Sequence, residues 1–136
     1  MRLLTAALVL AAALGLAPAA RADGGTIALT DTQVGDEGDT WYNVYLAGTF
    51  TLSADASDVS PPRVSVGYHA ASDGGLVGCA TLYDPAARTG YWTCQLTLQK
   101  GVTYGVADGT GATLLAQRAD LSGYMTAGCG FTLYYP

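Results

Sequence analysis

The residues best suited to chemistry in this chain are its cysteines. Cys79 and Cys94 stand fifteen positions apart in GCATLYDPAARTGYWTC, and Cys129 follows in AGCGF. Such a pair can be a reactive couple, a metal clip or a staple across a hairpin. A zinc site needs further ligands at short spacing, yet the chain has one histidine and no CxxC. A nucleophilic thiol needs a base and a setting that lowers its pKa, which the flanking residues do not supply. The centre of the stretch, DPAARTG, has turn chemistry, with Pro85 after Asp84 and Gly90 at its close. Its second arm alternates: Trp92, Cys94, Leu96 and Leu98 fall on one side, Thr93, Gln95, Thr97 and Gln99 on the other. If Cys79 faces Cys94, then Thr81 faces Trp92 and Val77 faces Leu96, and the apolar groups share a face. A structural Cys79–Cys94 disulfide is expected, and closing a loop of this size stabilises by about 3 kcal/mol in the chain-entropy account. Cys129 is then a free or intermolecular thiol. A Cys94–Cys129 pairing stays open if the final strand lies beside the second arm.

His69, with Ser72 and Asp73 close behind it, invites comparison with a hydrolase triad. Neighbours in sequence do not make a triad, which is assembled from distant segments around an oxyanion hole. No GxSxG or HExxH accompanies them. The acidic run Asp36, Glu37 and Asp39, between glycines in VGDEGDT, is the weak candidate for calcium, with Asp31 nearby. Its spacing is not that of an EF-hand, and a solvated acidic loop is the expectation. No carboxylate pair is marked for glycoside hydrolysis. The chain is read as a non-enzyme with no cofactor.

Aromatic residues carry the more useful signal. Nine tyrosines and two tryptophans cluster as Trp41-Tyr42 with Tyr45, as Tyr91-Trp92 and as Tyr134-Tyr135. Adjacent residues on a strand point to opposite faces, so one of Trp41 and Tyr42, and one of Tyr91 and Trp92, must face outward. Outward aromatics suit stacking on sugar rings or anchoring a protein interface. Trp41, Tyr42, Tyr91 and Trp92 are therefore the candidate ligand contacts. Arg88, in the turn of the stapled hairpin, is a fifth.

The elements that must hold these residues are strands. Helical periodicity is scarce, and β-branched and aromatic runs are punctuated by Gly, Asp and Pro. TIALT (26–30) is a first strand and DTQVGDEGDT a polar turn region. WYNVYLAGTFTLSAD (41–55) and RVSVGYHAA (63–71) are strands separated by a loop whose double proline cannot sit in a central strand. ASDGG is a turn. The two hairpin arms come next, then VTYGVAD (102–108), LLAQRADL and CGFTLYY; ATLLAQRADL is the one segment with a competing helical reading. Seven or eight short strands in this length predict an all-β sandwich with Greek-key connections.

The chain opens MRLLTAALVLAAALGLAPAARA, a short basic start, an apolar run over 3–16, a proline break and small residues at Ala20 and Ala22. That pattern predicts a cleaved secretory signal over 1–22, a single domain over 23–136, and a secreted, extracellular protein. The apolar run is shorter than the roughly 20 residues of a membrane span. Without that leader, four basic residues face eleven acidic ones, a net charge of −7. Such a balance argues against nucleic acid or anionic membranes as partners, and with no later segment long enough to span a bilayer no membrane insertion is expected. One Lys against five Arg, with abundant Ala and Gly, matches a GC-rich bacterial genome.

LTLQKGVTYGV (96–106) resembles the strand E to strand F corner of fibronectin type III and immunoglobulin-like domains, with Leu98, Gly101 and Tyr104 at the spacing of a tyrosine corner. GTFTLSADASDVS (48–60) likewise resembles the second strand and following loop of bacterial immunoglobulin-like modules. The cysteines depart from that pattern, since no Cys–Trp–Cys set stands at immunoglobulin spacing. The resemblance implies an immunoglobulin-like sandwich used for adhesion, spacing or ligand binding, with no catalytic residues. The expected function is a binding or cell-surface module for an extracellular glycan or protein. The alternative is a secreted hydrolase inhibitor that offers the stapled DPAARTG loop with Arg88 at its tip.

Overall fold

The computed structural model describes residues 24–57 and 59–136, together with the backbone of Val9–Leu10. The expected signal segment otherwise lies outside the described residues, as does its Ala20-Arg21-Ala22 cleavage site. Val9–Leu10 forms a short strand, β1, antiparallel to β10 (Thr132–Leu133).

The rest is a sandwich of two four-stranded antiparallel sheets. β2 (Gly25–Glu37), β3 (Trp41–Leu52), β7 (Thr89–Gln99) and β6 (Ala80–Asp84) form one sheet in the order β2-β3-β7-β6. β5 (Gly74–Gly78), β4 (Arg63–His69), β8 (Gly111–Gln117) and β9 (Tyr124–Gly130) form the other in the order β5-β4-β8-β9. Alternation dictates which side each residue takes. Tyr42, Val44, Leu46, Phe50 and Leu52 of β3 meet Trp92, Leu96 and Leu98 of β7 inside, and face Val64, Val66, Leu114, Ala127 and Phe131 across the core.

Three sequence expectations change. The polar DTQVGDEGDT is mostly strand: β2 runs on to Glu37, pairing with β3 through two register shifts. Gly and Asp density reads locally as a turn, but an edge strand tolerates bulges and uses charge to deter further pairing. VTYGVAD is not a strand. Tyr104 makes an isolated bridge to Leu133, and a short 3-10 turn follows at Val106–Asp108. In the last helix-or-strand segment, strand wins over Gly111–Gln117, with Ala112, Leu114 and Ala116 inward.

The third change concerns the stapled hairpin. Thr81 does face Trp92, as the register requires, but Val77 pairs with Val66 in the other sheet. The run from Gly74 to Asp84 therefore passes from the edge of one sheet to the edge of its partner. Cys79 sits at the crossing: its N–H donates to the Val64 carbonyl on β4 at 2.9 Å, while its sulfur bonds to Cys94 on β7. The disulfide ties the two sheets together, with the Cα atoms 4.6 Å apart. Cys129 is free and buried, so it is not presented for a bond to another chain.

At the opposite end, the β7–β8 connection turns through Gly101, whose φ of 78° suits glycine. Tyr104 is fully buried beyond it. Its hydroxyl accepts from the Gln99 N–H at 2.9 Å and donates to Asp73 Oδ2 at 2.7 Å. That arrangement anchors the β4–β5 turn against the β7–β8 corner.

Candidate functional site

The outward side of β3 carries Trp41, Asn43, Tyr45, Ala47, Thr49 and Thr51, since its inward side is taken by the core. Opposite them on β7 stand Gln99, Thr97, Gln95, Thr93, Tyr91 and Thr89. Three aromatics thus lie along one sheet face: Trp41 is 41% exposed, Tyr45 41% and Tyr91 67%. Trp41 and Tyr45 are four residues apart on β3, and Tyr91 is paired with Thr49, four residues further. At about 3.3 Å of rise per residue the intervals are each about 13 Å.

The first two rings rest on glycine. A Cβ at Gly38 would collide with the Trp41 indole, and one at Gly35 with the Tyr45 ring. The rings therefore rest against bare backbone at the end of β2 and in the turn that follows it, and keep part of their surface in solvent. Between Tyr45 and Tyr91 the face dips at Ala47 and Thr93, in a depression of about 320 Å³ that Asp31, Gln33 and Gln95 also line. Beyond Tyr91 its cross-strand neighbour Leu82, 75% exposed, extends the apolar end. The polar groups between the rings on β3 and β7 are uncharged. Thr97 Oγ1 donates to Asn43 Oδ1 at 2.6 Å, which engages the asparagine oxygen and leaves its N–H2 group as the donor end of the amide.

Four of the five candidate contacts can now be sorted by strand parity. Trp41 and Tyr91 share the outward face. Tyr42 and Trp92 point into the core and are withdrawn as ligand contacts. The Trp92 indole N–H donates to the Ala28 carbonyl at 3.2 Å, and its ring is packed against Gly48. Tyr42 packs against Tyr135 in a tilted pair, with ring centroids 4.9 Å apart. Its burial, with Tyr104 close by, pushes its pKa well above the ordinary tyrosine range. Tyr45 replaces them; its signal in the sequence is its parity with Trp41.

Arg88 is also withdrawn. It adopts φ 59° in the turn, and its Nη2 donates to the carbonyls of Ser53 and Ala56, each at 2.6 Å. The guanidinium clamps the loop after β3 instead of projecting from DPAARTG, so the hairpin has no free basic residue to insert into a protease pocket.

The remaining candidates do not converge. Glu37 pairs with Lys100 at 2.8 Å and accepts from the Tyr135 hydroxyl at 2.8 Å. Among the described residues no group of three or more His, Cys, Asp or Glu side chains, Asp36 and Asp39 included, is placed to hold a metal. The Asp73 carboxylate is engaged by Tyr104, not by His69, whose ring leans over Gly67. No protein-family model matches the chain, and no curated protein or solved structure matches it either.

Proposed function

We propose that this chain is a secreted, non-catalytic binding module of immunoglobulin-like type, whose β2-β3-β7-β6 face takes an extended, uncharged glycan. The observation that carries the reading is the row of Trp41, Tyr45 and Tyr91, spaced along one sheet face with the uncharged amides and hydroxyls of β3 and β7 between them and one carboxylate, Asp31 of β2, lining the depression. Sugar rings offer apolar faces for stacking and hydroxyls for hydrogen bonding, and this face supplies partners for both. A row about 26 Å long suits a chain better than a single sugar. A protein partner would be better served by one contiguous apolar patch than by rings separated by Thr, Gln and Asn.

Support for the immunoglobulin-like part comes from strand order. The orders β2-β3-β7-β6 and β5-β4-β8-β9 correspond to A-B-E-D and C′-C-F-G, and Tyr104 occupies the E–F corner. Secretion is supported by the apolar leader and by a structural disulfide, which persists in oxidising compartments.

Fluorescence tests the face selectively, because Trp41 is half-exposed and Trp92 is buried. Titration with soluble neutral polysaccharides (xyloglucan, glucomannan, mixed-linkage glucan, glycol chitin in its uncharged form) is expected to shift emission for at least one. The shift should vanish in Trp41→Phe. A shift that survives Trp41→Phe places binding elsewhere and contradicts the reading.

A further inference from the structure

The outward face of the other sheet carries a second site, independent of the aromatic row. The chain has few cations, and most of those in the sandwich are committed. Lys100 pairs with Glu37, Arg88 donates to two carbonyls, and Arg118 has partners of its own. Arg63, at the start of β4, is exposed and has no hydrogen-bond or ion-pair partner among the described residues. It opens onto a depression of about 410 Å³. The floor is Leu115 and Gln117 of β8, with Arg63 on one side and Tyr124 of β9 on the other. Ser60, Pro61 and Pro62 form a wall whose two prolines fix its backbone, and Thr81 borders it from the other sheet.

Arg63 is paired with Leu115, and Tyr124 with Gln117, so their Cα atoms stand two strands apart across the sheet and two residues apart along it, about 12 Å in all. That gap admits one ring with a charged substituent. Arginine is permanently cationic and its fork matches a carboxylate in two-point contact. Tyr124 is 66% exposed and offers a ring surface for stacking. Gln117, Ser60 and Thr81 supply neutral donors and acceptors. A volume of this size lies in the range of small-molecule pockets.

We infer that Arg63, Tyr124 and Gln117 form a binding site for a small ring-bearing monocarboxylate. A polyanion is disfavoured because the chain outside the leader carries net charge −7. One free arginine matches one carboxylate. Two sources share this chemistry, a sugar acid and an aromatic acid. Because the site lies on the sheet opposite Trp41, Tyr45 and Tyr91, its failure and that of the glycan face are separable.

The test is a two-dimensional amide NMR titration of the whole secreted protein with sodium glucuronate, sodium benzoate, sodium acetate and glucose. One of the ring acids is expected to shift Arg63, Gln117 and Tyr124 at millimolar concentration and to bind about tenfold or more tightly than acetate or glucose. Stronger binding of glucuronate identifies a sugar acid, and of benzoate an aromatic acid. Arg63→Gln should abolish the shifts and Tyr124→Ala should weaken them. Both side chains are exposed, so both variants should melt with the wild type. Absence of shifts with either ring acid overturns the inference, as do acetate binding of equal strength and shifts that persist in Arg63→Gln.

Discussion

Tyr104 joins two turns of the fold through one side chain. Its ring is buried, lies edge-on to Tyr68 at 5.8 Å, and its hydroxyl links Gln99 to Asp73. Tyr104→Phe leaves a backbone N–H and a carboxylate without their partner and should cost about 1.5–3 kcal/mol in urea unfolding. Burial first, and the hydrogen bond to Asp73 second, push the Tyr104 pKa up to about 12. The folded state therefore holds this proton more tightly than the unfolded chain does. Its contribution is complete below pH 10 and is lost as pH rises through about 12. Tyr42, raised by its own burial, acts with the same sign. The urea midpoint should fall between pH 9 and pH 11, and fall less in Tyr104→Phe; a midpoint that stays flat contradicts the assignment. The corner itself is legible in the spacing of Leu98, Gly101 and Tyr104. Its partner Asp73 is not, because it lies 31 residues away and only the docked β4–β5 turn brings it there.

At the scale of elements, alternation was the reliable guide and local turn chemistry the unreliable one. Parity divides Trp41 from Tyr42 and Tyr91 from Trp92 without ambiguity, but it cannot say which member of a pair faces the core. That depends on the second sheet. The consequence is measurable: Trp92→Ala removes a fully enclosed ring and should cost about 3–5 kcal/mol, whereas Trp41→Ala should leave stability within about 1 kcal/mol. Thermal or denaturant unfolding of the two variants distinguishes them. The register of the stapled arms was readable from Thr81 to Asp84, where β6 pairs with β7. It failed at Val77, because a two-stranded hairpin is the local solution and a sheet-to-sheet crossing is a tertiary one. The double variant Cys79→Ser/Cys94→Ser should lose about 3 kcal/mol and, because the bond joins the sheets, it should loosen hydrogen-exchange protection in both β4 and β7. Protection lost in β6 and β7 alone would return the disulfide to the hairpin. β2 is the opposite case: Gly35 and Asp36 carry turn signals, but they are absorbed as a register shift between the Val34–Val44 and Glu37–Tyr42 pairs, and the turn itself begins only at Gly38.

For the whole molecule, the division of labour follows charge and shape. One face presents Trp41, Tyr45 and Tyr91 among mostly neutral polar groups, with Asp31 at the depression between Tyr45 and Tyr91, and the chain outside the leader carries an acidic excess. The sandwich class was readable from strand count and alternation. Affinity electrophoresis through gels containing neutral polysaccharides tests the central claim most directly, comparing wild type with the triple variant Trp41→Ala/Tyr45→Ala/Tyr91→Ala. The wild type should be retarded by at least one linear neutral polysaccharide, and the triple variant, still folded because all three rings lie outside the core, should migrate as in an empty gel. Equal retardation of both proteins, or retardation of neither in any gel, contradicts a glycan-binding face on this sheet.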